Sequence, residues 1–387
     1  MHAIDLDANA TTPLAPEVLE AMRPHWRAGG NPESRHQLGR ASRRAWEKAR
    51  GDIARILGAD SSEVLFTSGG TEANNLALFG LLARQDATAH AVTSPIEHPA
   101  VAAPLKQLQQ QGVELTTLKV ARNGVMEVDD YRAAFRSETK LAALMLANNE
   151  TGALQPVAEL AEAASAHGIL VHTDAVQAVG RVPVDFHRLG VATLAASAHK
   201  LHGPPGIGVL VVRKGTILAP QLFGGGQQAT LRPGTPAVAL AVGMAEALNL
   251  WQRQAELIAG RQSRLRDHLE HALVAAIGRD QVVRHGPRDE RLRLPQTLCL
   301  GFPGLDANAL LLQFDLTGIC VSIGSACASG TTQPSPTLVA MNVEPNALKA
   351  SLRFSLNAFT DDSIINQAIE HIVPILQSAR ESHAPTQ

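Results

Sequence analysis

Lys200 stands in the run Ser197-Ala198-His199-Lys200 and is followed by Gly203-Pro204-Pro205-Gly206, so the backbone on both sides of its amine is constrained. A lysine held in that way and partly desolvated can act as a nucleophile; alone, it would read as a surface charge. Asp174 comes earlier, directly after the apolar run ILVHT, which places its carboxylate deep. A deep carboxylate needs a partner, and a protonated ring nitrogen would serve. Ser68-Gly69-Gly70-Thr71 follows EVLFT and opens a helical pattern. Read alone it is a turn with an N-cap, but backbone N–H groups at a helix start beside a small hydroxyl also cradle phosphate. A phosphate clamp, a buried acid and a constrained lysine are together what pyridoxal phosphate (PLP) requires of a protein.

Cys327 is a second signal of a different kind. It lies in Gly324-Ser325-Ala326-Cys327-Ala328-Ser329-Gly330-Thr331-Thr332, small residues with little to pack. Cys299 in TLCLGF and Cys320 in GICVSI have apolar neighbours and read as core residues. A cysteine on a Gly/Ser-rich loop is either incidental or an exposed, mobile nucleophile.

The elements that position these residues follow from the apolar pattern. Strand candidates at 63–67, 89–93, 141–147, 169–173, 191–196 and 207–212 alternate with helix candidates near 71–84, 97–111 and 157–167. Near-continuous apolar strands separated by helices indicate an α/β domain with a mostly parallel sheet covered on both faces. Ligands bind such sheets outside the carboxyl ends of the strands. The polar clusters fall there: Ser68–Thr71, Glu97-His98, Asn148-Asn149-Glu150, Asp174 and Ser197–Lys200. A long helical pattern follows from 236 to 270. Strands near 296–300, 318–322 and 351–355 and helices near 307–314, 334–342 and 361–379 then suggest a smaller α+β domain. With a boundary near residue 250, residues 14–250 form the large domain, and 1–13 with 251–387 form the small one carrying the cysteine loop.

Composition narrows the function. Lys and Arg number 34 against 36 Asp and Glu, for a net charge of −2, which leaves no electrostatic footprint for nucleic acid or an anionic membrane. A single Tyr131 and few other aromatics provide no stacking platform for single strands. No apolar run is long enough to span a bilayer, and the start does not read as a secretory signal. Three cysteines argue for a reducing compartment, and a cytoplasmic location is expected.

Taken with their order and spacing, LDANATTP, FTSGGTEANNLAL, EHPAV, ANNETG, HTDAVQAVG, SAHKLHGPPGIGVL, RPGT, GSACASG and LRFSLNAFT closely resemble the cysteine desulfurases of the NifS/IscS type, among fold-type I PLP enzymes. The resemblance runs nearly end to end, with departures at Pro205, Ile323 and 228–231. It implies a seven-stranded, mostly parallel sheet in the large domain and a homodimer. By motif, Lys200 resembles the Schiff-base lysine, His98 the histidine stacked on the ring, and Asp174 the partner of the pyridinium nitrogen. Gln177 would bond the phenolic oxygen. Gly70, Thr71, Ser197 and His199 match phosphate-binding positions, and Thr235 matches a threonine reaching the phosphate from the other subunit. Asn149 matches a position at the cofactor and substrate, Arg353 the residue gripping the substrate carboxylate, and Cys327 the persulfide-forming cysteine.

The activity implied is conversion of L-cysteine to L-alanine, with sulfur passed through Cys327 to an acceptor protein such as an iron–sulfur scaffold. No metal site is expected. His98 is the candidate for proton transfers, since an imidazole titrates in the useful range. Three other readings remain: a PLP aminotransferase or selenocysteine lyase, a non-catalytic partner of a sulfur carrier, and a nucleotide-binding module. The last lacks both GxGxxG and a P-loop lysine.

Overall fold

The computed structural model describes residues 3–83, 89–324 and 334–382. A short strand, β1 (Ile4–Asp5), leads into two helices, Pro16–Arg27 and Gln37–Ile56. Seven strands then build one sheet: β2 (Val64–Thr67), β3 (His90–Thr93), β4 (Glu114–Thr117), β5 (Thr139–Ala143), β6 (Leu170–Asp174), β7 (Thr193–Ser197) and β8 (Gly208–Val212). Their order is β2-β8-β7-β6-β5-β3-β4. All neighbours are parallel except β8, which runs antiparallel to both β2 and β7. This is the mostly parallel α/β sheet expected from the sequence.

The strands are apolar throughout because both faces are covered. In β8, Val209 and Val211 enter one core while Leu210 and Val212 enter the other, the alternation a strand imposes. The helices Gly70–Leu82 and Pro99–Gln110 cover one face; Val157–Ser165 and the two N-terminal helices pack into the core of the other. β4 escaped the apolar pattern because it is an edge strand, ELTT, with no buried residue. The helix Gln37–Ile56 did so because Trp46, Ala49 and Ile53 face inward from a largely charged sequence. The run 141–147 is strand only as far as Ala143; at Met145 the backbone N–H is taken by the Glu97 carboxylate at 2.9 Å.

One helix, Val238–Ile277, joins the sheet to the remainder of the chain. Its first half buries Ala241, Met244 and Leu248 in the core of the large sheet; its second half buries Leu265, Leu269 and Leu273 in a separate core. That second core also holds an antiparallel sheet of β9 (Val283–His285), β10 (Thr297–Gly301) and β12 (Ser351–Ser355), with β11 (Ile319–Cys320) paired in parallel with β1. The helices Ala307–Leu316 and Asp362–Ser382 complete it. Leu6 is buried there too, so the first residues pack with the last third of the chain.

Candidate active site

Strands β2, β3, β5, β6 and β7 point the same way, so the segments after them share one rim. A cavity of about 680 Å³ opens there. It gathers Gly70, Thr71, His98, Asn149, Asp174, Gln177, Ser197, His199, Lys200 and Arg353, from β12 across the cleft. A larger groove, about 1030 Å³ around Trp251 and Leu257, contains none of these residues. Chemistry decides between the two, and it points to the smaller cavity.

Asp174 ends β6 and is almost wholly buried. Its Oδ2 accepts from Asn74 Nδ2 at 2.7 Å and its Oδ1 from the Val176 backbone N–H at 2.9 Å. Lys200 ends a short 3-10 turn after β7, and its Nζ donates to the carbonyl oxygens of Asn9 and Ala10 at 2.6 and 2.7 Å. Arg181, itself buried, donates to the Lys200 carbonyl at 2.6 Å and fixes that turn. His98 caps the helix Pro99–Gln110, its Nδ1 accepting from Ala100 N at 3.1 Å. His199 bonds Thr11 Oγ1 at 3.1 Å, and burial together with the adjacent Lys200 pushes its imidazole down to about 4, so it is neutral.

The N-terminus of the helix Gly70–Leu82 meets the cavity beside Ser197. Ser197 Oγ is buried and has no hydrogen-bond partner among the described residues. Gly70 keeps the approach open: a Cβ there would lie 2.6 Å from Val176 Cγ2. A buried hydroxyl in want of a partner beside helix N–H groups suits a phosphate dianion. Gln177 is similar. Its Nε2 donates to the Asn9 carbonyl at 2.9 Å, whereas its buried Oε1 has no partner among the described residues. Cavity, acid and hydroxyl therefore fit PLP.

Arg353 is nearly buried; its Nη2 donates to Asp7 Oδ1 at 2.6 Å and its Nη1 to the Asn149 carbonyl at 3.0 Å. Each Nη keeps a second N–H, and Nε is without a partner among the described residues. Two acids with enclosed carboxyls stand nearby. Glu97 accepts from Ser94 Oγ and Met145 N, yet enclosure of its carboxyl, with help from the Asp174 charge, pushes it up to about 7. Burial likewise raises Glu150, which Ser335 Oγ bonds.

Two sequence candidates fall elsewhere. Thr235 is exposed and does not line this chain's cavity. Cys327 lies outside the described residues; Gly324 and Pro336, on either side of that segment, both line the cavity. Cys299 is buried as expected, and burial raises its thiol. Cys320 is half-buried and also raised, by burial and by Asp5. Sequence reasoning passed over Asn74, Asn9, Asp7 and His172. Asn74 alone left a signal, as an amide in the apolar run of a buried helix.

The chain matches the family model described as aminotransferase class-V over residues 4–367. It is 41% identical to a protein named cysteine desulfurase IscS from Dictyoglomus turgidum, covering 97% of this chain and 95% of the relative. A protein named cysteine desulfurase from Cereibacter sphaeroides is 42% identical, over 98% and 97%. Among solved structures, one described as a NifS-like protein superposes with a TM-score of 0.90 at 32% identity, covering 97% of this chain and all of that one. A NifS-like protein from Rickettsia africae gives 0.85 at 29%, with 97% of this chain covered.

Proposed function

The chain belongs to the class-V aminotransferase family, and from that premise we propose that it is a PLP-dependent cysteine desulfurase, converting L-cysteine to L-alanine and keeping the sulfur as a persulfide on Cys327. The observation that carries this reading is one cavity holding Lys200, Asp174 and a helix N-terminus together, in a chain about 40% identical throughout to proteins of that name.

Bound PLP supplies an electron sink for the substrate α-carbon. Asp174 would hold the ring nitrogen as its charge partner, and Gly70, Thr71, Ser197 and His199 would hold the phosphate. Gln177 would bond the phenolic oxygen and His98 would lie against the ring. Lys200 would anchor the cofactor and carry the Cα proton. Arg353 binds the substrate carboxylate through its two Nη groups beside Asn149, a bidentate arrangement suited to a planar anion. The Cys327 thiolate attacks the substrate sulfur, the C–S bond breaks, and protons from the site complete alanine. Substrate plus thiol thus become alanine plus persulfide, with no external oxidant. Cys299 and Cys320 do not suit this role, because their thiols are held protonated.

Thr235 reaches the phosphate of a second copy, which makes the enzyme a homodimer. The chain divides into residues 14–250 and a smaller part of 1–13 with 251–387. No described helix is long and apolar enough to cross a membrane. A cytoplasmic location is our reading of the cysteine usage, three in the whole chain. It delivers sulfur to an acceptor protein such as an iron–sulfur scaffold. The test is stoichiometric. Purified protein given L-cysteine and a thiol reductant should release alanine and sulfide in equal amounts, whereas an aminotransferase would release a keto acid and no sulfide.

A further inference from the structure

Behind Asp174 runs a line of buried polar groups that the mechanism above does not use. Asn74, on the helix Gly70–Leu82, donates from Nδ2 to Asp174 and accepts at Oδ1 from His172 Nε2 at 2.9 Å. His172 lies two residues before Asp174 on β6, hence on the same face of the strand. Its Nδ1 is 2.8 Å from Thr193 Oγ1 on β7, the residue paired with it in the sheet. Asn74, His172 and Thr193 are all wholly buried.

The geometry points to Asn74 and His172 as positioning residues, a relay that keeps an N–H aimed at Asp174 and so presents its carboxylate to a protonated ring nitrogen. The inference rests on reading Asp174 as the ring-nitrogen partner.

The directions of the bonds follow from the donor inventory. A carboxylate only accepts, so Asn74 turns its NH₂ toward Asp174 and its oxygen toward His172. The oxygen needs a donor, so the imidazole proton sits on Nε2. Nδ1 is then an acceptor, and the Thr193 hydroxyl donates to it. Burial pushes His172 down to about 3, so the ring stays neutral with one proton to place. Without that proton on Nε2 the amide could rotate and set its oxygen against the carboxylate, losing one of two bonds that hold Asp174. The Asn74 amide and the Val176 N–H are both neutral and do not cancel the Asp174 charge. A cationic ring can claim it.

Two measurements test the relay. The first is the dissociation constant of PLP from the apoprotein by equilibrium dialysis. Asn74→Leu and His172→Phe should each weaken binding about tenfold or more, the scale of a lost bond to a charged group. His172→Gln keeps a donor where Nε2 stood and should bind within about threefold of wild type. Equal weakening by the Phe and Gln variants, or none by either, overturns the relay. Asp174→Ala separates this failure from that of the underlying reading: if it binds PLP as tightly as wild type, Asp174 is not the ring-nitrogen partner. The second measurement does not depend on folding of the relay variants. Nitrogen NMR of histidine-labelled wild-type holoenzyme should show His172 protonated on Nε2, its signal assigned by distance to a labelled Asn74 amide. Protonation on Nδ1 would contradict the relay.

Discussion

Asp174 and Arg353 are charged groups on opposite sides of one cavity, and they are held in different ways. Asp174 accepts from two neutral donors, the Asn74 amide and a backbone N–H, from elements packed within the large sheet. Arg353 already faces a carboxylate, Asp7, delivered by the other end of the chain, with its remaining bond to a backbone carbonyl. The acid therefore keeps its charge for a permanent cationic guest. The arginine has a resident counter-ion, which a substrate carboxylate would have to share in the role proposed for Arg353. A buried charge with neutral partners makes a fixed fitting; one with a charged partner makes an exchangeable one.

Lys200→Ala breaks the cofactor side most completely. It should abolish the borohydride-fixed link between PLP and the chain and lower turnover by at least about a thousandfold. A surviving link would place the anchor on another lysine. On the other side the effect should be smaller and of another kind. Arg353→Lys, which loses the planar fork, should raise KM for L-cysteine about ten- to a hundredfold and leave PLP affinity near wild type. Asp7→Asn sharpens the contrast: freeing Arg353 of its counter-ion should lower KM or leave it level, whereas a tenfold rise would make Asp7 a support that the substrate never displaces.

Glu97 gives the smallest effect, and its sign is fixed. Its folded value of about 7 lies above the usual carboxylate value of 4.5. Between those values the native state keeps a proton that the unfolded chain releases, so stability falls as pH rises through the window and then levels off. Glu97→Gln removes that loss. Denaturant midpoints should match wild type near pH 4 and exceed it near pH 8; the reverse order would mean that the carboxyl is ionised in the fold.

The two sides also differ in how far they could be read from the chain. Asp174, Ser197 and Lys200 follow strands whose apolar runs announce them, so their place on one rim came from local pattern and a general property of parallel sheets. The sheet was legible for the same reason, except for the polar edge strand β4. The Asp7–Arg353 pair joins residues 346 apart, and Asn9, which meets Gln177, Thr297 and the Asn149 carbonyl, works through its backbone as much as its amide. Nothing periodic marks such contacts. Arg353 came from family resemblance, and its partner came only from the fold. His172 was hidden for a different reason: inside ILVHT it reads as one more buried strand residue, and only the neighbouring β7 and the helix above it show whom it bonds.

The central claim is that sulfur leaves L-cysteine by way of Cys327, and peptide mass spectrometry after brief exposure of the holoenzyme to L-cysteine tests it most directly. One added sulfur should appear on the peptide holding Cys327 and be lost on treatment with a thiol reductant. Cys327→Ser should bind PLP as wild type does, yet form neither the persulfide nor more than a trace of alanine. Sulfur on Cys299 or Cys320 instead, or alanine released at the wild-type rate by the serine variant, would contradict the account.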